Sequence, residues 1–163
     1  MRKLIMLAAG AAALSASPAF AGTDSDDMLV TATVINSCTV TASPMAFGTL
    51  ATLGSANIDT SASVVLACTP NAAYSVSMNL GLNAGSTTQR ELVNSGNSTQ
   101  RIPYEIYTDA ARTNSWGTAV GNVVAGTATG GAASLTAYGR IPSTAAAVSA
   151  GSYSDTVAVT VTF

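Results

Sequence analysis

The chain has 163 residues, two cysteines, no histidine and a formal charge of −2. Only 9% of it is charged, and its one lysine is Lys3. So few cations cannot neutralise a run of phosphates, which argues against nucleic acid and anionic lipid as partners. Without histidine the usual base of a hydrolytic triad is missing, and so is a principal zinc and copper ligand.

Arg2 and Lys3 open the chain, an apolar run follows from Leu4 to Leu14, and Ala19-Phe20-Ala21 has the small-x-small pattern of a cleavage site. This is the pattern of a secretory signal peptide over residues 1–21. The apolar run is well short of the roughly 20 residues that span a bilayer. Removal of residues 1–21 leaves 142, enough for one domain with one core, with four arginines against eight acids and a formal charge of −4. An exported chain meets an oxidising compartment, so Cys38 and Cys68 are expected to form a disulfide. The competing reading, two ligands of a metal site, lacks further partners. No metal or other cofactor is expected.

Asp24-Ser25-Asp26-Asp27 reads as a solvated acidic start. Three carboxylates here do not make a calcium loop, since no glycine turn or distal bidentate glutamate follows. In residues 28–35 Met28, Val30, Ala32 and Val34 alternate with Leu29, Thr31, Thr33 and Ile35, a period-two stretch. Further strands are expected at residues 63–68, 74–80, 102–106, 134–141 and 154–163. The last is the cleanest, with Val157, Val159, Val161 and Phe163 on one side. The intervening segments are rich in Gly, Asn, Ser, Thr and Ala, and residues 121–133 read as a flexible loop. No helical period is sustained after residue 21. Short β-branched strands at fairly regular spacing predict an all-β, immunoglobulin-like β-sandwich.

Candidate chemistry is thin. Asp59, Glu91, Glu105, Asp109 and Asp155 are the remaining acid–base candidates, expected in or beside turns and strand ends. Residues 126–131 are glycine-rich but lack the lysine and helix of a phosphate loop. Asn97-Ser98-Thr99 fits a glycosylation sequon, a pattern common by chance, and Trp116 reads as packing. Gly139 within a strand marks a bulge or a close backbone approach. Asp155 is expected to bond the turn at residues 151–154, with Tyr153 packing at the same corner. The expectation is a protein that is not an enzyme.

A central strand at residues 154–163 would need a neighbour on each side. Periodicity alone leaves residues 28–35 with two readings, the first strand of their own domain or a strand donated to a second copy.

Several short motifs recur in a specific order: Cys38-Thr39-Val40 with Phe47-Gly48, Cys68-Thr69, Tyr104-Glu105-Ile106-Tyr107, Asp109-Ala110-Ala111-Arg112-Thr113-Asn114 and Trp116-Gly117. Tyr138-Gly139-Arg140-Ile141-Pro142 and Gly151-Ser152-Tyr153-Ser154-Asp155-Thr156 follow, leading into the terminal strand. In these the chain resembles the spore coat protein U-like domain family, whose members include subunits of archaic, Csu-type chaperone–usher pili. The stretch from Asp109 to Asn114 is especially similar to the main shaft subunit.

That resemblance implies an incomplete immunoglobulin-like sandwich completed by a donated strand. Residues 22–35 would be the donor segment, with Met28, Val30, Ala32 and Val34 as plugs, and residues 36–163 the domain. Val157, Val159, Val161 and Phe163 would line part of the acceptor groove, while Cys38 and Cys68 tie the start of the body together. The implied partners are identical or related pilus subunits, a periplasmic chaperone and an outer-membrane usher. The implied location is a cell-surface pilus reached through the periplasm, serving adhesion and biofilm formation. A non-filamentous secreted coat protein and a tip or adaptor binding module are the alternatives. The second would require an additional receptor-binding domain, for which 142 residues leave no room.

Overall fold

A computed structural model describes residues 20–84 and 88–163. The expected signal peptide falls mostly on residues outside that range. The chain divides into two units, Met1–Thr33 and Val34–Phe163. In the first, residues 20–33 form no strand, and Met28, Leu29 and Val30 are exposed. The alternation in residues 28–35 therefore does not make a strand in the single chain. A period-two pattern specifies which face is apolar, but a strand also needs a backbone partner for its ladder.

The second unit is built of nine strands among the described residues: β1 (Cys38–Ala42), β2 (Ile58–Cys68), β3 (Ala73–Met78), β4 (Arg90–Asn94), β5 (Asn97–Tyr107), β6 (Val124–Thr127), β7 (Ala132–Ile141), β8 (Tyr153–Ser154) and β9 (Val159–Thr162). They form two antiparallel sheets, one of six strands in the order β1-β2-β7-β5-β4-β8 and one of three in the order β6-β3-β9. No described residue is helical. The longest ladder joins β2 to β7, from Ile58 opposite Ile141 to Ala67 opposite Ala132.

Period two explains how these strands make a core. Val64 and Leu66 of β2, Val76 and Met78 of β3, and Ile102, Tyr104 and Ile106 of β5 alternate with more exposed neighbours and are buried. Trp116 is fully buried in that core and donates its indole N–H to the Val76 carbonyl at 2.9 Å. A buried indole with its one donor satisfied contributes packing without an unpaired polar group.

Several expectations are corrected. Residues 121–133 are not one flexible loop, because β6 lies within them and pairs with β3. Glu105 lies within β5, whereas Asp59 and Glu91 are at the strand ends where they were expected, and each of the three faces an arginine instead of standing free. Arg140 Nε lies 2.7 Å and Arg112 Nε 3.4 Å from Asp59 Oδ1, Arg101 pairs with Glu91 at 2.9 Å, and Arg90 pairs with Glu105. The terminal strand is an edge of the smaller sheet, not a central strand, and is shorter than the apolar pattern suggests.

Candidate functional site: an apolar groove between two unpaired edges

β1 pairs only with β2, and β9 only with β3. Each strand therefore ends its sheet with one unpaired backbone edge. These two edges belong to different sheets, yet their Cα atoms come within 8 Å of each other with no ladder between them. Open edges of this kind present backbone donors and acceptors to any suitably patterned strand.

Behind the gap lies a cavity of about 470 Å³. Ala42 and Ser43 line it from the end of β1, and Val157 and Val159 from the start of β9. Val64, Met78, Tyr104, Ile106 and Ala137 of the core form further walls, with Met45 and Phe47. A second cavity of about 210 Å³ lies at the opposite end of the same sandwich, against Leu66, Cys68 and Tyr74. The larger cavity thus leaves the core without apolar filling beside the end of β1 and the start of β9.

The expected site residues distribute as follows. Val157 and Val159 line the larger cavity, whereas Val161 is half-buried against the core beyond it. Phe163 is 53% exposed and lies outside both linings. Val34 begins the second unit and is exposed, while Met28, Val30 and Ala32 belong to the first. Cys38 and Cys68 are direct partners across the β1–β2 ladder and are joined by a disulfide.

Two polar clusters hold the groove walls in place. The Tyr104 hydroxyl donates to Asp155 Oδ2 at 2.7 Å, and Asp155 Oδ1 accepts the backbone N–H groups of Leu82, Asn83 and Thr156. Asp155 thus braces the approach to β9, and does not bond the turn at residues 151–154 as the sequence suggested. Burial first, and then the bond to the Asp155 carboxylate, push the Tyr104 phenol far above its ordinary 10.0. Tyr153 does close its corner, donating its hydroxyl to the Ser149 carbonyl at 2.7 Å.

Arg90 is the second brace. It is buried, pairs with Glu105, and donates to the carbonyls of Met78, Asn79 and Trp116. One guanidinium so ties β4 to β5, to the end of β3 and to the Trp116 loop. Sequence reading missed it, because a lone arginine near a turn looks like surface; the unusual scarcity of cations was the available signal.

Gly139 of β7 faces the segment after β1. A Cβ at this position would collide with Met45 Sδ and would lie 3.0 Å from Thr60 Cγ2 and 3.1 Å from the Phe47 ring. Met45 and Phe47 reach the groove because Gly139 leaves room for them, so of its two expected roles the close approach is the one seen.

No helix among the described residues is long and apolar enough to cross a membrane, and no described His, Cys, Asp and Glu side chains cluster as a metal site.

No curated protein matches the chain. Among solved structures, it is similar to a chain of the CsuC–CsuE chaperone–tip adhesion subunit pre-assembly complex from archaic chaperone–usher Csu pili of Acinetobacter baumannii. The TM-score is 0.55 at 24% identity, over 80% of this chain and 40% of that one, a likeness of fold. The chain therefore spans less than half the length of that relative. The family model for the Spore Coat Protein U domain matches residues 24–160, so this chain, an all-β sandwich with an open groove, belongs to that family.

Proposed function

We propose that this protein is a structural subunit of a chaperone–usher surface pilus, assembled by donor-strand exchange and serving adhesion and biofilm formation. The observation that carries the reading is the groove between the unpaired edges of β1 and β9. An apolar trough with two free backbone edges accepts one strand with alternating apolar residues, and residues 28–35 have that pattern. A chain that gives a strand at one place and receives one at another makes a heterologous contact, which propagates into a filament. Met28, Val30, Ala32 and Val34 are the plugs of this proposal. Val157 and Val159 form the acceptor wall, continued by Val161 and Phe163.

The same groove, while empty, is an aggregation hazard during export, which a periplasmic chaperone would cover until an outer-membrane usher exchanges it for the next subunit. The family assignment and the likeness of fold to a chain of a chaperone–subunit complex support this part. The work of such a subunit is mechanical, with no catalytic step.

The test is size-exclusion chromatography of the exported protein, intact and lacking residues 22–33, with and without a synthetic peptide of residues 28–35. The expected result is an oligomer ladder for the intact chain, and a small truncated protein that takes up the peptide. Introducing Val30→Asp and Val34→Asp together should abolish the ladder. An intact protein that stays monomeric and ignores the peptide would return residues 28–35 to their own domain and leave a non-filamentous coat protein.

A further inference from the structure

The chain enters its own body under tight constraint. Ser37 N–H donates to Thr69 Oγ1 at 3.1 Å, and Thr69 N–H donates to the Ser37 carbonyl at 2.9 Å. The Thr69 hydroxyl has the Ile35 carbonyl at 3.3 Å and the Ser37 carbonyl at 3.4 Å as acceptors. Cys38, one residue later, is bonded to Cys68. The entry at residues 35–38 is therefore fixed at the disulfide end of the sandwich, and no free linker separates Val34 from it.

β3 runs from that end to the other. Ala72, just before its first residue, donates its N–H to the Thr69 carbonyl, while its last residue, Met78, donates its N–H to the Gly117 carbonyl. Two exposed aliphatic side chains mark this far end. Leu82 is 78% exposed on the loop after β3, and Val120 is fully exposed on the turn closed by the Gly117 and Asn122 bonds. No described residue of the second unit covers either.

The groove has a direction. Its cavity joins the end of β1 to the start of β9, while the ladders set Cys38 opposite Cys68 and Thr162 opposite Ser75, so β1 and β9 run oppositely. A donated strand must be parallel to one of them and antiparallel to the other. Antiparallel pairing with β9, the more stable ladder per residue, carries the donor's C-terminal end out beside Met78, Leu82 and Val120. A residue spans at most about 3.6 Å, so the donor's body must begin at once where Val34 leaves the groove.

Resting on the donor-strand reading, we infer that consecutive subunits abut end to end. The Leu82 and Val120 loop tips of the accepting copy press on the disulfide end of the donating copy, around its Thr69-Pro70-Asn71 turn. The occupant of this surface is thus a second copy of the same chain, and the contact is distinct from the inserted strand. It would limit bending at each junction, because the tether leaves the two bodies no slack.

The experiment places a benzophenone-bearing residue at position 120 of the exported chain and irradiates the assembled oligomers. A second chain carries, in addition, a flexible Gly/Ser spacer between Ile35 and Asn36. The expected result is an unchanged ladder in both, with adducts mapping near residues 35–38 or 69–71 of a second copy, lost when the spacer is present. A ladder without such adducts, or with adducts that persist despite the spacer, overturns the end-to-end seating and leaves strand donation standing. Absence of a ladder in the chain without the spacer, checked against the unsubstituted protein, removes both.

Discussion

The Tyr104 hydroxyl and Asp155 Oδ2, 2.7 Å apart, connect the middle of β5 to the turn that launches β9. Tyr104 belongs to the six-stranded sheet and Asp155 to the segment between β8 and β9, and both line the groove. The position of this groove wall therefore depends on a side-chain bond as well as on the β3–β9 ladder.

Replacing Asp155 with Ala should destabilise the body by about 2–3 kcal/mol, since three backbone N–H groups and a buried hydroxyl lose a charged acceptor. Tyr104→Phe removes one bond and should cost about 1 kcal/mol. Urea unfolding of the two variants checks the order. If Tyr104→Phe proved the more damaging, packing of the ring and not the Asp155 hub would hold the wall.

The same pair sets an alkaline limit. The folded state holds the Tyr104 proton above the pH at which the unfolded chain releases it, ordinarily 10.0. Its contribution is therefore fully present below pH 10 and is lost as pH rises beyond it. Unfolding curves between about pH 9 and 12 should fall less steeply for Tyr104→Phe than for the parent protein. Parallel curves would remove Tyr104 as the group responsible.

Arg90→Met should be severe, about 3–5 kcal/mol, because it leaves Glu105 and three carbonyls without the cation that serves them. Arg90→Lys should recover little of it, since one ammonium cannot reproduce the planar fork. Chemical denaturation of both variants is the measurement, and near-complete recovery by lysine would show that charge alone suffices.

At Gly139, a methyl group meets Met45 Sδ, with Thr60 and Phe47 close behind. Gly139→Ala should cost about 1–3 kcal/mol through overpacking. Adding Met45→Ala should restore part of that loss, a coupling that a double-mutant cycle detects. Strictly additive losses would mean that the segment after β1 moves aside freely.

Replacing both Cys38 and Cys68 with Ser should lower stability by about 3–4 kcal/mol in the chain-entropy account, given a sequence separation of 30. Thermal unfolding of the oxidised parent beside the double variant tests it. An unchanged midpoint would mean that the β1–β2 ladder alone constrains the two ends.

The sandwich was legible because alternation is a direct consequence of strand geometry. β3, β5 and β9 overlap stretches picked out by period two, and β2 and β7 overlap the other expected strands at residues 63–68 and 134–141. β4 and β6 were not, since Arg90 occupies a buried position in the first and Gly126 interrupts the second. The groove was legible only as a suspicion about the terminal strand. An unpaired edge is a relation between β1 and β9, residues far apart in sequence, and neither strand encodes it alone. The Asp155 hub stayed hidden for the same reason, its partners Leu82 and Asn83 being separated from it by a long stretch of chain.

The arginine pairing has a further consequence for how the body meets proteases. From Val34 onward the chain has no lysine, and its four arginines are Arg90, Arg101, Arg112 and Arg140. Three lie in ladders, and Arg112 is held to the Thr60 and Gly139 carbonyls. A trypsin-like protease needs an extended, freely accessible segment around a basic residue, and here each arginine is instead tied into a ladder or to carbonyls. Digestion by such enzymes must wait for the sandwich to open, so its rate follows the folding equilibrium and not the number of exposed loops.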